Sequence, residues 1–215
     1  MLIMIKCFEK ATKKTIILAI LCISVLLLLG ACGENSGGSE DATDETTAAT
    51  EEQTTTEVAA QVSDTLVVYF SHTGNTKAVA EKLHEFVGGD LIEIEPVNAY
   101  PEGYDAALDP AKQEQRENAR PEIKGTIEHF DSYETIYLGY PIWWGTTPMI
   151  INTFLESYDF SGKTVVPFAT SGGTGISQSI EDIRSEVPDA DVRDGLLVRD
   201  NDEIEPWLKN LGLIE

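Results

Sequence analysis

From Thr65 onward the chain alternates short apolar runs rich in Val, Ile, Tyr and Phe with longer amphipathic stretches, and that alternation restricts the fold more than any other feature. Thr65-Leu-Val-Val-Tyr-Phe70 is continuously apolar, the pattern of a strand buried on both faces. Asn75–Val87 spaces Ala78, Val79, Leu83 and Phe86 or Val87 as one helical face, and Gly88-Gly89 stops it. Leu91–Ile94 reads as a second strand, Asp105–Asn118 as a helix and Thr135–Leu138 as a third strand. Thr147–Glu156 reads as a helix with Pro148 in its first turn, where the missing N–H is harmless. Thr164–Ala169 is the fourth strand, in which Pro167 calls for a bulge or a strand end. Helix Ile176–Glu186, strand Gly195–Val198 and helix Ile204–Leu211 complete the series.

Strands alternating with helices imply a parallel sheet covered on both faces. Five strands in 65–215 suit an α/β three-layer sandwich with a five-stranded parallel sheet of order 2-1-3-4-5. In such sheets a ligand sits beyond the carboxyl ends of the strands, near the switch in winding direction. The expected site is therefore the loops after strands one, three and four, and the unusual residues of the sequence fall in those loops.

The first loop is Ser71-His72-Thr73-Gly74-Asn75-Thr76. It opens a helix, whose first N–H groups point outward unpaired at the positive end of the helix dipole. Ser71, Thr73 and Thr76 add hydroxyl donors, and Gly74 allows close backbone approach. With no Lys or Arg in the loop, it suits a single terminal phosphate better than a nucleoside triphosphate. His72 can lend positive charge when protonated, with the backbone donors dominating.

The second loop runs Gly139-Tyr140-Pro141-Ile142-Trp143-Trp144-Gly145-Thr146. Two adjacent indoles are hard to sink together, because each needs a large buried area and a partner for its N–H. One of them is expected to stack on a planar heteroaromatic ring and the other to cover the sheet edge; the residues alone do not choose between Trp143 and Trp144. The third loop, Thr170-Ser171-Gly172-Gly173-Thr174-Gly175, gives a backbone able to lie against a ligand edge and offer it N–H groups.

Ser71–Thr76 is similar to the phosphate loop of the flavodoxin-like family, a hydroxyl residue, any residue, Thr-Gly, any residue, Thr. Tyr140–Gly145 and Ser171-Gly172-Gly173 resemble that family's flavin-contacting loops, especially in its branch with short Gly-rich third loops. The resemblance spans 65–215 and implies FMN as cofactor, with phosphate on 71–76 and isoalloxazine between 141–146 and 171–175. One departure stands out: 171–175 lacks the aromatic residue with which many electron-carrier flavodoxins cover the other ring face. That face is open to a partner or covered from elsewhere, with Tyr100 and Tyr104 in the section 98–130 as candidates.

The start of the chain carries a different message. Residues 1–31 hold four Lys and one Glu, all before Thr15, then the mostly apolar run Ile16–Leu29. This is the pattern of a secretory signal, too short to span a bilayer. It ends Leu29-Gly30-Ala31-Cys32, similar to a bacterial lipobox, so Cys32 is the expected lipidation site and the first residue of the mature chain. Cys7 and Cys22 leave with the signal, which excludes disulfide frameworks, Cys-ligated metals and cysteine nucleophiles. Residues 32–64 carry nine acids and no base and read as a disordered, self-repelling tether.

Residues 65–215 hold 27 Asp and Glu against 11 Lys and Arg, a net charge of −16. Such a surface disfavours nucleic acid and leaves the lipid anchor as the expected contact with membrane. With three separated His, no metal site is legible, and no carboxylate pair stands out as catalytic. The expected function is electron transfer outside the cytoplasm, to a redox partner protein or a small quinone-like acceptor. The alternatives are an FMN-dependent NAD(P)H or quinone oxidoreductase, favoured by the uncovered ring face and disfavoured by the extracytoplasmic address, and a non-catalytic flavin-binding module of a surface complex.

Overall fold

The computed structural model describes residues 63–215. The signal segment 1–31, Cys32 and all of the tether but Ser63 and Asp64 lie outside the described residues. The backbone carbonyl of Asp64 already takes part in the sheet, accepting the N–H groups of Glu134 (2.7 Å) and Thr135 (3.1 Å).

The elements are β1 (Thr65–Tyr69), α1 (Asn75–Val87), β2 (Asp90–Glu93), α2 (Tyr104–Glu117), β3 (Thr135–Pro141), α3 (Met149–Ser157), β4 (Thr164–Thr170), α4 (Ser177–Glu186), β5 (Asp191–Val192), β6 (Leu196–Leu197) and α5 (Ile204–Asn210). The strands pair in parallel in the order β2-β1-β3-β4-β5, with β6 also on β4. This is the expected three-layer α/β sandwich. The pleat sorts the core into two layers. Leu66 and Val68 of β1, and Phe70 just after it, point to the face covered by α2, α3 and α4, where Ala107, Phe154 and Ile183 meet them. Val67 and Tyr69 point to the other face, against Val79 and Leu83 of α1 and Ile204 and Leu208 of α5.

Three departures from the sequence expectation shape the site. First, β3 runs three residues past Leu138, pairing Gly139, Tyr140 and Pro141 with Phe168, Ala169 and Thr170. Gly-Tyr-Pro reads as loop punctuation, but Gly139 is there because two side chains need its space. A Cβ at Gly139 would stand 2.3 Å from Cζ of Phe168 and 2.9 Å from Cβ of Tyr69. Tyr140 is fully buried, its hydroxyl 3.0 Å from that of Ser179 on α4.

Second, the expected strand Gly195–Val198 forms as the short β6, and a further short strand, β5, precedes it on the same side of β4. The reason is Pro167. The Val165 and Ala169 carbonyls accept Arg193 N–H (2.8 Å) and Val198 N–H (2.9 Å), so the backbone of Pro167, in phase with them, faces the same side. Pro167 has no N–H to give, and the neighbouring strand breaks over 193–195 as it passes. Gly195 fits there because a Cβ would meet the Pro167 carbonyl oxygen at 2.7 Å. Third, α3 begins at Met149, so Pro148 is its N-cap rather than a first-turn residue, with φ −60° and ψ 147°.

Candidate functional site

β1, β3 and β4 all end at one rim of the sheet, and a cleft of about 750 Å³ opens there. The three rim segments are tied to one another through the backbone and through hydroxyls. Phe70 N–H donates to Gly139 O (3.0 Å), Ile142 N–H donates to Thr170 O (2.8 Å), and the hydroxyls of Thr76 and Thr170 meet at 2.9 Å. Of the sequence-derived residues, His72, Thr73, Asn75, Thr76, Pro141, Ile142, Trp143, Ser171 and Gly172 line the cleft. Ser71, Gly74, Trp144, Gly145, Gly173, Thr174 and Gly175 do not.

The first loop enters α1 through Gly74, at φ 87° and ψ −11°, a left-handed conformation that favours glycine. No side chain caps this helix start, so the donors that a Ser or Thr N-cap would otherwise satisfy are left to a ligand or solvent. Behind them the Ser71 hydroxyl is buried without a hydrogen-bond partner among the described residues. A buried hydroxyl left unpaired in the folded protein is unfavourable and calls for an explanation. Thr73 Oγ1 accepts from Asn75 Nδ2 at 3.3 Å. His72 is committed sideways: its Nε2 lies 3.1 Å from the Gly103 carbonyl, and its ring stands edge-on to Trp143 at 5.7 Å.

The second loop resolves the tryptophan question by turn geometry. Trp143 and Thr146 exchange both backbone hydrogen bonds (3.0 and 3.2 Å) across a two-residue turn. Its central residues, Trp144 and Gly145, have φ 52° and 90°, the signature of a type I′ turn. Successive residues leave such a turn in different directions. Trp143 is 3% exposed, edge-on to Phe70 (5.5 Å) and Tyr100 (5.0 Å), and forms a wall of the cleft. Trp144 is 42% exposed and sits outside, donating its Nε1–H to the Leu108 carbonyl of α2 (2.8 Å) beneath the Lys112 ammonium, 4.1 Å from the ring. Of this loop's candidate residues, Trp144 and Gly145 form the turn beside Trp143 and do not line the cleft.

The third loop is braced from within. Ser171 Oγ accepts the N–H groups of Gly173 (3.1 Å) and Thr174 (2.9 Å), so those two donors brace the loop itself. Ser171 and Gly172 remain at the cleft, with Thr170 beside them.

Sequence reasoning placed Thr170 at the head of the third loop without giving it a contact of its own; the structure puts it on the cleft. The sequence reading missed Val198, Arg199 and Asn201, which reach the cleft from the segment after β6. No motif marks them; only the position of β6 beside β4 brings them there. Of the section 98–130, Tyr104 lies on the cleft wall and is 49% exposed, while Tyr100 packs behind Trp143. Burial, then the hydrogen bond and charge of Glu114, push the Tyr100 hydroxyl far above its usual range, so it stays protonated and donates to Glu114 Oε2 at 2.8 Å. Desolvation raises the Glu114 carboxyl in turn, against the lowering effect of that bond. This pair holds the back of the aromatic wall.

The family described as flavodoxin matches residues 64–211. Among solved structures, a protein from Bacteroides eggerthii DSM 20697, provisionally described as a flavoprotein, is 41% identical over 69% of this chain and 97% of its own, with a TM-score of 0.63. One from Bacteroides uniformis ATCC 8492, described in the same terms, is 38% identical over 67% and 97%, also at 0.63. A flavoprotein from Lactobacillus acidophilus NCFM, solved in complex with FMN, is 26% identical over 66% and 97%, at 0.57. The comparison with curated proteins finds no match.

Proposed function

The chain belongs to the flavodoxin family, and from that premise we propose that it binds FMN and transfers electrons outside the cytoplasm, held at the membrane by a lipid on Cys32. The observation that carries the reading is one cleft lined both by the uncapped helix start of α1 and by the Trp143 indole. The residues fit a singly phosphorylated planar ring. Thr73, Thr76 and the first-turn amides of α1 would hold the phosphate, and the unpartnered Ser71 hydroxyl lies in the same loop. Trp143, Ile142 and Pro141 would flank the ring on one side, and Gly172 permits close backbone approach on the other. Bound FMN supplies the redox chemistry of its isoalloxazine ring. The chain's part is to bind that ring, orient it and set the polarity around it.

Three features favour the extracytoplasmic address: the basic start, the apolar run Ile16–Leu29, and Leu29-Gly30-Ala31-Cys32. The acidic segment up to Asp64 then serves as a spacer between lipid and domain. A redox partner protein or a quinone-like acceptor completes the function. One observation favours a second reading, an FMN-dependent NAD(P)H or quinone oxidoreductase: no aromatic residue of 171–175 stands over the cleft, which leaves room for a substrate.

The absorption spectrum of the purified protein tests the cofactor. The oxidised-flavin bands, with FMN released on denaturation, are the expected result, and a colourless protein that ignores added FMN overturns the proposal. Rapid NAD(P)H oxidation with an added quinone would replace electron transfer with the enzymatic reading. Cys32→Ser should release the protein from the membrane fraction or leave it unprocessed; unchanged lipidation refutes the anchor.

Ser71 offers a prediction of opposite signs. Ser71→Ala removes a buried unpaired hydroxyl, so the FMN-free protein should gain stability, by about 1 kcal/mol. The same change should weaken FMN binding, because it removes a donor from the phosphate loop. Thermal melts of the FMN-free protein and fluorescence titration of FMN measure the two effects separately. A loss of stability together with unchanged affinity would mean that Ser71 serves only the fold.

A further inference from the structure

The sheet register brings a cation to the phosphate end of this cleft. Leu197 of β6 pairs with Ala169 of β4, and Val198 N–H donates to the Ala169 carbonyl at 2.9 Å. The next residue, Arg199, therefore leaves the rim beside Thr170, whose hydroxyl meets that of Thr76 in the phosphate loop. On the same side Val198 packs in one cluster with Val79 of α1. Arg199 lines the cleft together with Asn75, Thr76 and Val79, and is the only Lys or Arg among its lining residues.

Two of the three acids that follow Arg199, Asp200 and Glu203, are occupied by the backbone. The Glu203 carboxylate accepts from Arg199 N–H (3.0 Å) and Asp200 N–H (3.5 Å), and Asp200 Oδ1 accepts from Asp202 N–H (3.0 Å). This is a capping box at the turn leading into α5. Among the described residues, eight ion pairs form and none includes Arg199. In a domain of net charge −16, an unpaired guanidinium beside a helix start is placed for an anion.

We infer that Arg199 is a second, cationic contact for the phosphate of the ligand held by residues 71–76, and that it sets the preference for a phosphorylated flavin over the same ring without phosphate. The inference rests on the FMN reading. The loop amides and hydroxyls supply the phosphate's close hydrogen bonds, and Arg199 neutralises charge from the side that the loop leaves open. Arg199 is an exposed residue, so the contribution is screened by salt.

The experiment is titration of FMN and of riboflavin into flavin-stripped full chain in detergent, at low and high salt, for the wild type, Arg199→Gln and Arg199→Lys. Circular dichroism and thermal melts check that each variant is folded. Arg199→Gln should lose about tenfold in FMN affinity, keep riboflavin affinity within about twofold, and show a smaller FMN deficit as salt rises. Arg199→Lys should retain most of the FMN affinity, since it keeps the charge and loses only the fork. A wild type that binds neither flavin sinks the FMN reading itself. A wild type that binds FMN, with a FMN-to-riboflavin ratio unchanged in Arg199→Gln, overturns this inference alone.

Discussion

Trp143→Ala should destabilise the domain by about 3–5 kcal/mol, the usual range for truncating a buried aromatic residue, and should lower FMN affinity by more than about tenfold. The indole is 3% exposed and stands edge-on to Phe70, Tyr100 and His72, so its removal leaves three rings without their shared neighbour. The cavity would lie directly behind the proposed ring site, and collapse of Tyr100 or His72 into it would spoil the cleft wall. Trp144→Ala is the internal comparison. That indole is 42% exposed and its contacts are one hydrogen bond to α2 and the Lys112 ammonium. Its loss should change stability by about 1 kcal/mol or less, because exposed cation–π contacts are weak and alanine tolerates the left-handed turn no worse than tryptophan does. Chemical denaturation with FMN titration measures both variants. Equal losses from the two would mean that the turn does not divide the tryptophans as described.

Thr76→Ala should weaken FMN binding about tenfold to thirtyfold, the equivalent of a hydrogen bond to a charged group. Thr76 is buried, lines the cleft and shares a hydrogen bond with Thr170, so truncation removes a phosphate donor and leaves the Thr170 hydroxyl without its partner. Thr76→Ser keeps the hydroxyl and should stay within about threefold of wild type. Thr73→Ala should fall on the same side as Thr76→Ala. Thr174→Ala should bind FMN as the wild type does, because Thr174 lies off the cleft and only its backbone N–H is engaged, by Ser171. Fluorescence quenching of FMN gives the four affinities. If Thr174→Ala proves as damaging as Thr76→Ala, the assignment of the first loop to the phosphate fails.

The layered fold was legible because burial on both faces leaves little freedom: runs such as Leu66–Phe70 and Ile136–Leu138 have to lie inside a covered parallel sheet. Helix α1 was read at its observed bounds, since Gly74 and Gly88 mark both ends of one amphipathic face. The errors share a cause. Gly139 and Pro167 look like breaks when read alone, yet one lies inside β3 and the other inside β4. What each glycine or proline does depends on the residue across the ladder, Phe168 for Gly139 and the broken strand over 193–195 for Pro167.

Residue order alone was enough for the α/β sandwich, for the three loops at one rim and for a hydroxyl-rich loop opening a helix, because periodicity and helix-end chemistry act over a few neighbouring residues. Contacts between segments distant in the chain settled the rest: Trp143 inward and Trp144 outward, Ser171 bracing its own loop, the link from Thr170 to Thr76, and Arg199 at the cleft. Which way a side chain turns and whether a polar group finds a partner are properties of the packed interior. That interior exists only once β4 has β3 on one side and the divided last strand on the other.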